Sequence, residues 1–154
     1  MPSHYQGSEE EVLALTTYIK LLRAAESVGS QLLQSGTFGC LTPSQFAVME
    51  ALYHLGTLRL GEVSTKLLKS NSNITLVIDN LEKQGWVRRQ RDQDDRRTVH
   101  VSLTETGKAL IQGLLPEHVT AIREMMKVLT PEEQATLGEI CRRLGKASAS
   151  QSNK

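Results

Sequence analysis

The 154-residue sequence is informative first for what it has little of. No uninterrupted apolar stretch approaches the ~20 residues that a membrane-spanning helix needs. The segment before the first apolar periodicity carries Glu9-Glu10-Glu11 and no apolar core of the kind that marks a secretory signal, so the cytoplasm is the expected compartment and no membrane is expected as a partner. There are 2 cysteines, Cys40 and Cys141, far apart and without a CxxC pair, which excludes a disulfide framework and a cysteine-rich zinc site. Buried or idle thiols are the plain expectation for both, with a redox-sensing Cys40 as the alternative. Nucleophile elbow, phosphate-binding glycine loop, HExxH and zinc-finger spacing are all missing, and the glycines mostly follow helices. An enzyme is therefore not expected, nor a cofactor or a resident metal. There is no internal repeat.

What is present is an ordinary soluble composition, 39% hydrophobic and 23% charged, in a length that suits one domain. Net charge is only +1, but it is unevenly spread. The stretch Arg59 to Arg97 holds nine Lys/Arg against six Asp/Glu, a net of +3, and the remainder holds nine against eleven, a net of −2. A phosphate-facing lobe joined to a lobe with another task would have this asymmetry.

The periodicities give an order of four helices, two strands and two helices. Leu15, Ile19, Leu22, Val28 and Leu32 predict a long helix over 9–34. Thr42-Pro43-Ser44-Gln45 combines an N-cap, a first-turn proline and a capping box, and starts a second helix with Phe46, Met49, Leu52 and Tyr53 on one stripe. A short third helix covers about Leu60 to Leu68, with Val63, Leu67 and Leu68 inward. Asn71 or Ser72 caps a fourth, in which Ile74, Val77, Ile78 and Leu81 face inward and Gly85 provides the stop. The period then becomes two. Trp86–Gln90 and Thr98–Leu103 read as strands around the charged loop 91–97, a hairpin with a protruding tip. Thr104 caps a fifth helix, bent at Pro116, and Thr130-Pro131-Glu132-Glu133 starts a sixth with Leu137, Ile140, Cys141 and Leu144 inward. Residues 147–154 read as a disordered tail.

Two short helices, a polar turn and a helix whose outer face is small and polar make a helix-turn-helix pattern. A helix lying in the major groove needs one apolar side and a side of short hydrogen-bonding groups. Here Ser72, Asn73, Leu76, Asp79, Asn80 and Lys83 are expected outward, with Thr75 at the margin. Arg96 and Arg97 at the hairpin tip suit the negative potential of a narrow minor groove, with Asp95 expected to hold one guanidinium in place.

The runs Asn73-Ile74-Thr75, Asp79-Asn80-Leu81-Glu82-Lys83-Gln84-Gly85-Trp86-Val87-Arg88-Arg89, Asp95-Arg96-Arg97 and Val101-Ser102-Leu103-Thr104 with Gly107 resemble the recognition helix, wing and fifth-helix entry of the MarR family of winged helix-turn-helix transcriptional regulators. Leu41-Thr42-Pro43-Ser44-Gln45-Phe46 is similar to that family's second-helix start. The resemblance implies a mainly α fold, a single MarR-like domain over 1–154, with a winged helix-turn-helix lobe at 42–103 and a homodimer built by helices 9–34 and 104–146. It implies a regulator, typically a repressor, that binds double-stranded DNA with an inverted repeat and is released by a small aromatic or lipophilic effector. DNA contacts are then expected from Ser72, Asn73, Thr75, Leu76, Asn80, Lys83, Arg88, Asp95, Arg96 and Arg97, and an effector pocket from Phe46, Tyr53 and His118. Leu76 stands where the family often has arginine. The family's zinc-sensing branch is matched only at Glu117-His118, since Ile122 and Phe46 occupy histidine positions. A winged helix used for protein–protein contact is the runner-up.

Overall fold

The computed structural model describes residues 5–67 and 71–151. Two compact units divide the chain, one ending at Thr37 and the other beginning at Phe38.

The first unit is α1, Glu9–Gln34. Ser8 and Glu11 start it reciprocally: the Glu11 amide donates to Ser8 Oγ at 3.3 Å and the Ser8 amide to Glu11 Oε2 at 2.8 Å. The Ser8 amide, and then the Ser8 hydroxyl donating to the same Oε2 at 3.0 Å, hold the Glu11 carboxyl below its ordinary pKa. Although its apolar residues recur at helical spacing, α1 contains no buried residue, and Leu13, Leu22, Val28 and Leu33 are open.

The second unit is a helical frame around a small sheet. α2 (Pro43–Leu55) starts at the expected capping box, with the Gln45 amide donating to Thr42 Oγ1 at 3.2 Å and the Thr42 amide to Gln45 Oε1 at 2.9 Å. It ends at Gly56, whose φ of 77° suits a residue without Cβ. The chain then forms β1 (Leu58–Arg59), α3 (Leu60–Lys66), α4 (Asn71–Lys83), β2 (Val87–Arg91), β3 (Val99–Leu103), α5 (Glu105–Met126) and α6 (Pro131–Gln151). The strands are antiparallel in the order β1-β3-β2, with Val87 opposite Leu103, Arg91 opposite Val99, and Leu58 opposite Val101.

The core gathers Phe46, Val48, Met49 and Leu52 of α2, Val63 of α3, Ile74, Ile78 and Leu81 of α4, Val87, Val101, and Ile111 of α5, all buried. Each such side chain stabilises the lobe by roughly 1.5–3 kcal/mol relative to exposure. The aliphatic stripe of α4 is thus the face that anchors it, and Val77 at the stripe's edge is half-buried.

Several expectations need correction. β1 has no counterpart among the expected strands, because two residues are too few to show an alternation; it exists because Leu58 and Arg59 complete the edge of β3. Asn71 and Ser72 lie inside the first turn of α4 and do not precede it. The expected inward Leu68 and the side chain of Ser72 fall outside the described residues. The expected place of Pro116 needs no correction: it falls inside α5, which continues through it. α6 continues past Gly145 to Gln151, so the tail expected from residue 147 is helical that far; its Ala, Lys and Ser residues do not stop a helix, and Ser148 Oγ donates back to the Leu144 carbonyl at 2.9 Å. Leu137, Ile140, Cys141 and Leu144 of α6, expected inward, are all exposed in the single chain.

Candidate nucleic-acid interface

The site is assembled at two junctions that lock α4 to the hairpin. At the first, α4 ends in a Schellman-type cap. Gly85, at φ 75°, donates to the Glu82 carbonyl at 2.9 Å, and Trp86 donates to the Leu81 carbonyl at 3.0 Å. The carbonyls of this turn then receive α5. Thr104 donates its hydroxyl to the Gly85 carbonyl at 2.6 Å and its amide to the Trp86 carbonyl at 3.0 Å, while its Oγ1 accepts from the Gly107 amide at 3.0 Å. Gly107 is buried, and a Cβ added there would lie 1.9 Å from the Trp86 carbonyl oxygen.

At the second junction, Arg89 of β2 reaches back onto α4. Its guanidinium donates to the Thr75 carbonyl at 3.2 Å, pairs with Asp79, and lies 3.3 Å from Glu82 Oε2. Asp79 is therefore not a free group on the groove-facing side, as the helical spacing suggested; it faces the wing strand and is half-buried. Arg89, outside the expected set, ties the wing strand to α4 through these three contacts. Its neighbour Arg88 is exposed and donates from Nε to Ser102 Oγ, its cross-strand partner, at 3.1 Å.

The wing tip is folded by its own carboxylates. Asp92 accepts from the amides of Asp94 and Asp95 at 2.9 and 3.2 Å and pairs with His100 Nε2 at 3.0 Å. The hydrogen bond to His100, then those from the two amides, bring its pKa down to about 2. Asp95 accepts from the Arg97 amide at 3.0 Å and from the Thr98 hydroxyl at 2.9 Å. This corrects the expected role of Asp95: its two oxygens are committed to the turn, an Asx-type arrangement, and not to a guanidinium. Arg96 and Arg97 are both exposed, and among the described residues neither guanidinium meets a carboxylate.

On α4 itself Asn73, Leu76, Asn80 and Lys83 are exposed and Thr75 is half-buried. Leu76 stands 62% open, so an apolar side chain is presented among polar ones with no core to receive it.

The other expected site residues lie elsewhere. Phe46 and His118 come together, with ring centroids 4.1 Å apart, and Phe38 joins them at 5.3 and 4.8 Å. All three are buried, so the cluster is packed against its neighbours in the single chain. Burial lowers the His118 pKa, opposed by the charge of Glu50. Tyr53 is half-buried one turn or more further along α2, with its ring 5.2 Å from that of His54. Cys40 and Cys141 are exposed, not buried. Among the described residues no three His, Cys, Asp or Glu side chains are grouped for a metal, and no helix is long and apolar enough to cross a membrane.

A helix-turn-helix whose last helix is braced by a three-stranded wing defines a winged-helix DNA-binding protein. The comparisons with known proteins give the family. The MarR family profile matches residues 41–99. The HTH-type transcriptional regulator YkoM of Bacillus subtilis (strain 168) is 33% identical over 139 residues, covering 90% of this chain and 90% of its own. The HTH-type transcriptional regulator MhqR of the same organism is 34% identical over 132 residues, covering 86% of this chain and 91% of its own. Among solved structures, that of Bordetella bronchiseptica BpsR, whose DNA binding is regulated by 6-hydroxynicotinic acid, superposes with a TM-score of 0.75 at 26% identity, covering 84% of this chain and 98% of that one. The chain belongs to the MarR family and is a DNA-binding transcriptional regulator, not an enzyme.

Proposed function

We propose that the protein acts in the cytoplasm as a homodimeric repressor that recognises an inverted repeat in double-stranded DNA and leaves it when a small aromatic or lipophilic effector binds. In this reading α4 enters the major groove and presents Asn73, Thr75, Leu76 and Asn80 to base edges. Ser72, Lys83, Arg88 and Arg96 contact the phosphate backbone, and Arg97 enters the adjacent minor groove. The carrying observation is the wing tip: Asp95 spends both oxygens on the turn, so it aims the tip and leaves at its end two guanidinia that meet no carboxylate among the described residues.

The dimer reading is supported by apolar surface that one chain leaves open. α1 buries no residue, and Ile122, Ile140 and Leu144 are exposed on α5 and α6. Such stripes ordinarily mark an interface. Helices 9–34 and 104–146 are assigned to it and residues 42–103 to the DNA-binding lobe. A two-fold dimer reads half-sites about one helical turn, roughly 34–36 Å, apart. The effector is placed at the junction of α2 and α5, near Phe46, Tyr53 and His118. Because Phe46 and His118 are buried, a ligand there must open the cluster, and it weakens DNA binding by its differential affinity for the opened state.

Selecting bound duplexes from a random pool, with and without aromatic carboxylates and phenols, tests the reading. An inverted repeat is expected to emerge, and Arg97→Ala to weaken its binding by about 1–3 kcal/mol per site. Undiminished binding by a folded Arg97→Ala variant would remove the wing from the interface, and indifference of the operator complex to every ligand would remove the effector.

A further inference from the structure

A second feature of the lobe lies beside the wing and, Arg97 apart, is used by none of these roles. Where α3 faces the root of the wing there is a cavity of about 640 Å³, lined by Arg59, Leu60, Gly61, Glu62, Thr65, Lys66, Arg97, Thr98 and Val99. Strand register makes it: Arg59 pairs with His100 at the edge of β3, so α3 departs alongside the residues that lead out to the tip.

Its chemistry is one-sided. Three of the lining side chains are cations and one is a carboxylate. Glu62 already accepts from the Arg59 amide at 2.7 Å, closing the start of α3. The two hydroxyls are also engaged, Thr65 donating to the Gly61 carbonyl at 3.0 Å and Thr98 to Asp95 Oδ2 at 2.9 Å. The donors left over are the charged ends of Arg59, Lys66 and Arg97, all exposed, with no carboxylate partner among the described residues. Leu60 and Val99 supply apolar wall, which strengthens the field of those charges on anything between them.

We propose that this cavity is an oxyanion seat for a phosphate group, with Arg59 and Lys66 as its principal cations and Arg97 shared between it and the DNA groove. The phosphate is either a backbone phosphodiester of the duplex beside the wing or a free phosphate-bearing small molecule. Both present the same tetrahedral anion to the same cations. The duplex case rests on the DNA-binding reading above, but on Arg59 and Lys66, which that reading does not employ.

The two sources separate in two measurements on the full chain. In the first, the affinity for a random-sequence duplex is followed against salt for the wild type and for R59A/K66A. Each phosphate no longer neutralised lowers the log–log slope by about 0.9, so the double variant, which empties one seat, is expected to lose about 3.5-fold less affinity than wild type between about 50 and 200 mM salt. A control pair on α1, K20A/R23A, is expected to leave the slope as it was. In the second, inorganic phosphate is titrated into DNA-free protein while the amide resonances of Gly61 and Val99 are followed. A saturable shift that R59A/K66A abolishes assigns the seat to a free anion. A change in the first measurement assigns it to the duplex. The proposal is overturned if both measurements are unmoved in a double variant whose melting temperature is normal, or if the control pair lowers the slope equally and the phosphate resonances are silent. If wild-type protein bound no duplex, the DNA reading would fail and the phosphate titration alone would decide the seat.

Discussion

Replacing Gly107 by alanine is expected to destabilise the protein, against the usual direction of a glycine-to-alanine change in a helix. Helical propensity alone favours alanine by about 1 kcal/mol. At position 107, however, the new Cβ would meet the Trp86 carbonyl oxygen at 1.9 Å and the Trp86 carbonyl carbon at 2.7 Å, and these are backbone atoms that cannot rotate away. To reach ordinary contact, the first turn of α5 must retreat from the start of β2 by more than an ångström. The Thr104 amide would then lose its 3.0 Å bond to the Trp86 carbonyl, and the Thr104 hydroxyl its 2.6 Å bond to Gly85. Overpacking of this kind costs about 1–3 kcal/mol and each lost hydrogen bond about 0.5–1.5. After the propensity gain, a net loss of roughly 1–5 kcal/mol remains. Gly113 supplies the internal control: it lies on the same helix, and nothing stands within 4 Å of its added Cβ. Gly113→Ala is expected to be neutral or stabilising by up to about 1 kcal/mol. Urea unfolding at one fixed protomer concentration compares the two, since dimerisation would make stability concentration-dependent. Equal stability of the Gly107 and Gly113 variants would refute the reasoning, because it would mean that the α5–β2 junction yields without cost.

Three further outcomes follow from the same contacts. Arg89→Ala is expected to cost roughly 1–2 kcal/mol, a figure discounted for partial exposure, and to lower DNA affinity by freeing α4 from the wing; a loss of only a few tenths in urea unfolding would show that Arg89 orients nothing. The His118 pKa lies below its ordinary 6.5 because the ring is buried, so below that pH the unfolded chain binds the proton that the folded one refuses. Stability conferred by the neutral ring is therefore complete above 6.5 and is lost progressively on acidification below it, and His118→Phe is expected to be less sensitive between pH 7.5 and 5.5; identical pH responses would count against a buried neutral histidine. Asp92, with its pKa at about 2 in place of 3.8, contributes stability that is whole above 3.8 and disappears as pH falls through about 2. A carboxyl resonance titrating near 3.8 would mean that the pair with His100 does not form.

Much of the lobe was legible because its determinants are local. Thr42-Pro43-Ser44-Gln45 is a complete capping box within four residues, and the chain begins α2 there. Ile74, Ile78 and Leu81 recur at the helical period and are fully buried, while the change to alternation at Val99, Val101 and Leu103 marks β3 within a residue. Gly85 was recognisable as a stop because a helix leaving through a left-handed residue favours glycine. Where the determinant is a partner far along the chain, the reading failed. β1 has no pattern of its own and is defined by β3, some forty positions later. The stripes of α1 and α6 have the right period, but period tells that a face is apolar and not which molecule covers it.

The carboxylates show the limit most sharply. Asp79, Asp92 and Asp95 all fall in charged surface stretches, and sequence gives no means of ranking their possible partners. Asp79 sits at a helical position that should face outward, yet Arg89, ten residues later, folds back through the Gly85 turn and claims it. Asp95 has two arginines as its immediate successors, and proximity suggested an ion pair. A carboxylate at a tight turn, however, finds backbone N–H groups already fixed within reach, whereas pairing with a neighbouring guanidinium in water requires a long side chain to surrender its rotamer freedom for little net gain. The turn wins: Asp95 takes the Arg97 amide and the Thr98 hydroxyl. That choice also separates two functions that an ion pair would have merged, because the tip is held in shape by neutral donors while Asp95 does not cancel the positive charge of Arg96 and Arg97. Asp95→Asn tests this separation. An amide oxygen still accepts from one donor, so the turn is expected to persist, and DNA affinity is expected to change by no more than about tenfold, whereas Asp95→Ala removes both acceptors and is expected to cost more. Were Asp95→Asn to bind DNA as poorly as Asp95→Ala while both kept a native melting temperature, the negative charge itself would be the working feature, and the ion-pair reading of the sequence would have been the better one.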